Sequence, residues 1–262
     1  MNNIKSFIGE TLGTFTMVSI GCGAVAFSIL NYDISLFGVA ALWGLGVVLG
    51  IVVSSPFSNS HLNPAISLGF LVNGKIKLLD FGIYVFGQFI GALLAAGIVY
   101  LIFIQDIEAY DNGIFSEKTA MIFGEYYPNP QNSRLSELST STAILMESVC
   151  TFLLMLSIFF ISNMKKLPKI FRAFLIGLVV CNLILAIAPF TQAGLNPARD
   201  LSPRIFSYFV GYDNIAFNSP NYGYLLVYVV APFLGAFAAS LIFKLSLEVS
   251  KSDKITNRKK FA

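Results

Sequence analysis

The sequence predicts an all-α membrane protein with six transmembrane helices and two re-entrant half-helices, built as an inverted repeat of three spans. Three observations lead there. First, 56% of the 262 residues are apolar and only 12% are charged, against about 25% charge in a soluble domain, and the mean hydropathy is +0.74. Second, apolar runs long enough to cross a bilayer fall at roughly 6–30, 36–55, 80–104, 140–162, 170–189 and 222–246. Third, one tripeptide occurs twice, 133 residues apart: Asn63-Pro64-Ala65 and Asn196-Pro197-Ala198.

Each tripeptide reads as a helix start. Asn stands at the N-cap, Pro at the first helical position with its φ already set, and Ala continues the helix. The apolar tails that follow, roughly 63–73 and 196–209, are too short to span. Short helices at matching places in two halves suggest half-helices that meet inside the membrane.

The halves match beyond the tripeptide. Glu10-Thr11-Leu12-Gly13-Thr14-Phe15 pairs with Glu147-Ser148-Val149-Cys150-Thr151-Phe152, and Phe89-Ile90-Gly91-Ala92 pairs with Phe233-Leu234-Gly235-Ala236. Three spans per half is an odd number, so the second half enters from the opposite face. The half-helices then dip in from opposite sides with their N-termini near the midplane.

Orientation follows from the basic residues. With the N-terminus inside, Lys5, Lys75, Lys77, Lys165, Lys166, Lys169, Arg172, Lys244, Lys251, Lys254, Arg258, Lys259 and Lys260 are cytoplasmic. Only Lys118, Arg134, Arg199 and Arg204 fall on the other side. Both termini are therefore placed in the cytoplasm. The segment Met1–Glu10 has no cleavage-type pattern, so the first span reads as retained. The connection Gln105–Ser139 is long, polar and mildly acidic, and reads as a structured surface excursion. The basic tail Lys251–Lys260 reads as a solvated, disordered end, with anionic lipid contact as the sharper option.

The net charge of +3 is small, and no Lys/Arg run interleaves with aromatics, which argues against nucleic acid. Cys22, Cys150 and Cys181 all lie in apolar runs and read as small packing residues. His61 is the only histidine, and no metal-ligand spacing occurs, so neither a metal site nor a cofactor is expected. No Ser/His, Cys/His or paired-Asp constellation supports an enzyme.

With the two Asn-Pro-Ala boxes, the second continuing into Arg199-Asp200, on a duplicated three-span unit, the chain resembles the aquaporin (major intrinsic protein) family over about 5–246. The resemblance implies an aquaporin-like fold in one channel domain, 1–262. The first repeat covers about 5–104, an extracellular loop 105–139, the second repeat about 140–246 and a cytoplasmic tail 247–262. It also implies a multi-pass plasma-membrane protein, bounded by lipid and assembled as a homotetramer with one pore per subunit. Gly/Ala-rich spans suit such close packing.

The pore chemistry can be argued at these residues. Irregular backbone inside a bilayer is tolerated only where it packs in protein or lines water. Carbonyls of His61, Leu62, Gly194 and Leu195 would form rows of acceptors, and the amides of Asn63 and Asn196 would supply donors at the centre. Two helix N-termini add positive potential there. The combination opposes protons and cations while passing neutral molecules. Glu10 and Glu147 form a symmetric intramembrane pair. One reading is a proton relay; the symmetry favours structural carboxylates, each accepting backbone N–H groups of the re-entrant loop in its own repeat. His61 reads as lining the cytoplasmic half of the pore, with a gating role as the sharper option.

For the outer constriction the resemblance implies Trp43, Ile184, Ala193 and Arg199, with Arg199 and Trp43 expected to face each other across the outer mouth and Ile184 and Ala193 completing the ring. A membrane-embedded Arg is functional by default, with a structural salt bridge as the alternative. Asp200, Arg204, Trp43 and Tyr127-Pro128-Asn129-Pro130 resemble the glycerol-facilitator (aquaglyceroporin) branch. Departures are Ala193 where many facilitators have Phe, Ile184 where they have Gly, and Tyr228 in place of a Pro. The expected function is a passive channel for glycerol and other small uncharged solutes, with water. The alternatives are a water-selective aquaporin and, with less support, a secondary transporter.

Overall fold

The computed structural model describes residues 3–30, 32–132 and 137–260, with side chains through Ser246. Arg134, counted above on the outer side, and the chain ends Met1, Asn2, Phe261 and Ala262 lie outside the described residues. The described chain is helical throughout. The first half runs α1 (Asn3–Ile29), α2 (Leu36–Ser54), α3 (Pro64–Val72) and α4 (Leu78–Tyr110). A one-turn helix α5 (Glu117–Ala120) lies in the long connection. The second half runs α6 (Thr140–Asn163), α7 (Lys169–Thr191), α8 (Pro197–Ser207), α9 (Gly223–Leu225) and α10 (Ala231–Lys260). Six segments are long and apolar enough to cross a membrane: α1, α2, α4, α6, α7 and Pro220–Ser246. The half-helices α3 and α8 lie between α2 and α4 and after α7.

Three boundaries differ from the sequence expectation. Helix α4 continues to Tyr110 rather than stopping near 104, because Phe103 and Ile107 keep burying one helical face. The last span does not start as a plain α-helix; α9 passes into a π-helical turn, Leu226–Val230, before α10. The tail, expected as a disordered end, continues α10 as helix to Lys260.

The long connection is structured but only partly a surface excursion. Its residues Met121 to Tyr127 are all buried. Hydrogen bonds pin it to the second half: Asn129 N donates to Phe190 O at 3.0 Å, and Asn129 Nδ2 donates to Ala188 O at 2.8 Å. Tyr126 N donates to Gln192 Oε1 at 2.6 Å.

Packing follows the repeat. In the first half α1 packs on α2 and α4; in the second α6 packs on α7 and α10. Helices α2 and α7 join the halves. Each half-helix leans on the last span of the other half, α3 on α10 and α8 on α4. The matched glycines set how close the helices come. A Cβ on Gly91 would stand 2.3 Å from Thr11 O, and one on Gly235 would stand 2.1 Å from Ser148 O. Both oxygens belong to the residue after the paired glutamates. Small residues let helix backbones approach where lipid provides no hydrophobic drive.

That contact yields a paired test. Gly235→Val should lower the thermal midpoint in detergent, at a cost of about 1–3 kcal/mol for overpacking. Gly82→Ala, whose Cβ would meet nothing within 4 Å, should change stability by no more than about 1 kcal/mol. Equal effects at both positions would rule out the close crossing as the reason for Gly235.

Candidate solute passage

The two Asn-Pro-Ala boxes form one locked unit. Asn63 caps α3: its Oδ1 accepts from Ala65 N at 2.9 Å, and Pro64 opens the helix. Asn196 caps α8: its Oδ1 accepts from Ala198 N at 3.1 Å and Arg199 N at 3.3 Å, and Pro197 opens that helix. The amides then cross. Asn63 Nδ2 donates to Leu195 O at 2.9 Å, and Asn196 Nδ2 donates to Leu62 O at 2.8 Å. This corrects one expectation: the Leu62 and Leu195 carbonyls are not wholly free acceptors, because each already holds the other repeat's amide. A carbonyl has two lone pairs and an amide two N–H groups, so one of each remains at either position.

The approach loops are held by the two glutamates. Glu10 Oε1 accepts from His61 N at 3.0 Å and Ser58 Oγ at 2.7 Å. Its Oε2 accepts from Leu62 N at 2.7 Å and Gln88 Nε2 at 2.8 Å. Glu147 Oε1 accepts from Gly194 N at 2.9 Å and Thr191 Oγ1 at 2.7 Å, and its Oε2 accepts from Leu195 N at 2.9 Å. The backbone explains the fit. Ser60 and Leu62 have φ of 58° and 54°; Ala193 and Leu195 have 67° and 54°. Alternating left-handed and ordinary residues turns successive N–H groups to one side as an anion-binding nest. Such φ values cost non-glycine residues about 1–3 kcal/mol each, and the carboxylates offset that.

His61 is fixed by the same network. Ser67 Oγ donates to Asn63 O at 3.1 Å and accepts from Gln88 Nε2 at 3.0 Å. The His61 Nδ1–Ser67 Oγ bond of 3.1 Å therefore needs a proton on Nδ1 in the neutral ring. That leaves Nε2 as an acceptor, buried and with no partner among the described residues. The ring stacks on Phe70, centroids 4.4 Å apart.

Three cavities run end to end through these residues. The central one, about 80 Å³, is lined by both Asn side chains, His61, Leu62, Gly194, Leu195 and the four ring residues Trp43, Ile184, Ala193 and Arg199. It shares Trp43, Ile184 and Arg199 with a cavity of about 130 Å³. It shares Ile51, Ser60, His61 and Ile176 with a third of about 480 Å³ at the opposite end. Apolar side chains of α1, α2, α6 and α7, among them Met17, Val47, Leu154 and Val180, form one wall. The re-entrant segments supply the polar stripe. Ala65 and Ala198, fully buried, pack behind it.

The ring differs from the expectation in two ways. Trp43 and Arg199 do not face each other across an open mouth. The Arg199 guanidinium lies over the indole, 4.3 Å from the ring centroid, a cation–π contact. Gly21 makes room for the indole, since a Cβ there would stand 2.2 Å from it. Second, Arg199 has an ionic partner: Nη2 pairs with the Glu125 carboxylate, and both side chains are buried. Burial pushes the Glu125 carboxyl up, against the pull of Arg199. Arg199 Nη1 remains buried with no partner among the described residues, a donor available to a solute.

Sequence reasoning missed Glu125. Nothing local marks it; it is one acid in a mildly acidic connection. Its placement depends on Asp200. Asp200 Oδ1 accepts from Glu125 N at 2.7 Å, and the Asp200 carboxylate pairs with Arg204 four residues on, at 2.9 Å and 3.1 Å. Arg204 also donates to Ala216 O at 2.6 Å and to Glu125 O. Asp200 thus ties α8 to the segment that carries the partner of Arg199. Tyr228, on the π-helical turn, donates to Thr191 O at 3.0 Å and packs on Gly194, where a Cβ would stand 2.6 Å from its ring. No group of three or more His, Cys, Asp or Glu among the described residues could hold a metal.

Two half-helices capped end to end, on an inverted three-span repeat with a lined passage, define a re-entrant-helix membrane protein. Comparison with known proteins places it further. Residues 1–243 match the family described as Major intrinsic protein, and the chain belongs to that family. Among its relatives, "Aquaporin-7" of Mus musculus is 31% identical, covering 92% of this chain and 80% of that protein. "Aquaglyceroporin-2" of Rhizophagus irregularis is also 31% identical, covering 91% and 76%. The X-ray structure of the aquaglyceroporin from Plasmodium falciparum superposes with a TM-score of 0.80 at 25% identity, covering 93% of this chain and 96% of that one.

The Asp200–Arg204 pair makes a stability prediction. Asp200→Asn strands a buried guanidinium and should cost about 3–5 kcal/mol. Asp200→Asn with Arg204→Met removes both charges and should recover part of that loss. Thermal unfolding in detergent decides; additive losses would show that the two side chains do not act as a pair.

Proposed function

We propose that the chain is a passive channel for glycerol and other small uncharged solutes, with water, and not an enzyme. The observation that carries this is the amphipathic passage. One wall is apolar; the other presents His61 Nε2, the two Asn amides and Arg199 Nη1 in sequence. A polyol has a carbon edge and a hydroxyl edge. The apolar wall covers the first, and the polar stripe replaces hydration on the second. The relatives named as aquaglyceroporins support the same reading.

In this reading Asn63 and Asn196 are the pore centre, and Trp43, Ile184, Ala193 and Arg199 form the selectivity ring, with Glu125 as the ionic partner of Arg199. The remaining lone pairs of His61, Leu62, Gly194 and Leu195 hand the solute along. Glu10 and Glu147 support the loops. With every oxygen of both carboxylates accepting hydrogen bonds, neither stands free as a coupling-ion site, which weighs against a secondary transporter. Ion exclusion comes from the two helix N-termini and from Arg199. The basic loops support a cytoplasmic side for the His61 mouth, both termini and the tail, in a protein of the plasma membrane. A homotetramer with a pore in each subunit fits the apolar outer faces, for example Phe171, Phe174 and Leu178 of α7, all more than 45% exposed.

Stopped-flow light scattering on proteoliposomes tests the reading. Glycerol flux should stand well above that of empty vesicles, with water permeating too. Ala193→Phe with Ile184→His should narrow the ring and suppress glycerol on the order of tenfold, about 1.4 kcal/mol of barrier, and water less. Rapid water flux with glycerol at background in the unmodified chain would overturn the glycerol reading.

Charge exclusion has its own test. Asn196→Asp places a carboxylate where two helix ends project positive potential, and removes the donor to Leu62 O. A measurable cation conductance is expected in planar bilayers. Zero conductance in a folded Asn63→Asp/Asn196→Asp double variant would remove the central barrier from the account.

A further inference from the structure

The largest of the three cavities along the passage, about 480 Å³, lies over the His61 mouth. Its chemistry is unlike that of the rest of the passage. Two cationic side chains line it, Lys169 and Arg172, with Ser55, Ser58, Asn59, Ser60 and Ser162. No carboxylate among the described residues lines it. A passage for neutral solutes has no evident need of this pair.

Three features converge there. Helix α7 begins at the cavity, and Lys169 and Ile170, its first residues, both line it. Its N-cap is Pro168, which makes no side-chain cap. Phe171 N and Arg172 N donate to Pro168 O at 3.1 Å, which leaves the N–H groups of Lys169 and Ile170 without an intrahelical acceptor, and the helix end adds positive potential. Arg172 is anchored through Nη1 to Ser162 O at 3.2 Å, while its Nε is buried with no partner among the described residues. His61, 7% exposed, lines the floor between this cavity and the central one, and its Nε2 has no partner among the described residues. Lys165 and Lys166, in the α6–α7 connection, add to the basic field.

We propose that this vestibule is a binding site for a phosphoryl group, held by Lys169, Arg172 and the N-terminus of α7, with His61 Nε2 accepting from a hydroxyl of the same ligand. Arginine and an uncapped helix end suit phosphoryl oxygens. The His61 acceptor adds a preference for an anion that also carries a hydroxyl, such as a small polyol phosphate or protonated inorganic phosphate. A phosphomonoester lipid headgroup presents the same phosphoryl chemistry. An occupant would stand between the mouth and the pore histidine, so it would also slow flux.

The test uses the full chain purified in detergent. Inorganic phosphate and glycerol 3-phosphate are titrated separately by calorimetry, against sodium chloride at matched ionic strength. Saturable binding of about millimolar strength is expected. Lys169→Gln and Arg172→Gln should each weaken it by about tenfold, the loss of one charge-assisted contact. Arg172→Lys, which keeps the charge, should lose less, and thermal unfolding confirms that each variant is folded. A parallel arm titrates short-chain phosphatidic acid, with short-chain phosphatidylcholine as the control, into the same detergent-solubilised protein. Free-phosphate binding assigns a soluble ligand; binding of phosphatidic acid alone assigns the headgroup. No saturable binding in either arm, or binding that the folded variants leave unchanged (an adventitious ion only), overturns the proposal. Because the readout is binding, it stands or falls separately from glycerol flux.

Discussion

Every backbone group carried into the bilayer needs a partner inside the protein, and the re-entrant loops are where this constraint presses hardest. The structure meets it twice, by the same means. Glu10 takes the N–H groups of His61 and Leu62; Glu147 takes those of Gly194 and Leu195. The crossed Asn63 and Asn196 amides then take the Leu195 and Leu62 carbonyls. Each half-helix is capped within its own repeat, and each repeat satisfies a loop carbonyl of the other. The glycines at 91 and 235 belong to the same solution, since they bring the last span of each half against the helix that carries the glutamate.

In the proposed channel, what is left over from that satisfaction is what a solute would meet. The spare acceptor on His61, the second N–H of each Asn amide and Arg199 Nη1 lie along one side of a passage whose other side is apolar. The passage is polar only where the backbone turns back. Chain reversal and solute chemistry are thus one feature rather than two.

The outer end is built differently from the centre, because the repeat does not extend to it. Arg199 follows the second box, while Ile66 follows the first. A buried guanidinium needs a counter-charge, and Glu125 supplies it from outside both repeats. Asp200 and Arg204 hold that segment in place. Asp200, which marks a resemblance in the sequence, is here the anchor of the partner of Arg199.

The spans, the half-helices, the inverted repeat and the paired glutamates were all legible in the sequence, because each rests on local pattern or on duplication. Hydropathy marks a span, Asn-Pro marks a capped helix start, and matched segments reveal the repeat. The end of α4 at Tyr110 was less legible, since polar residues at 105, 106 and 108 hide the buried face kept by Phe103 and Ile107. Only the tertiary structure decided that Arg199 stacks on Trp43 rather than facing it, that Glu125 reaches the ring, and that two loop carbonyls are already engaged. Each of these joins residues far apart in the chain: 132 residues separate Asn63 from Leu195, and 75 separate Glu125 from Asp200. Local propensity says where a helix begins, but which side chain meets a buried charge depends on packing between segments that share no local pattern.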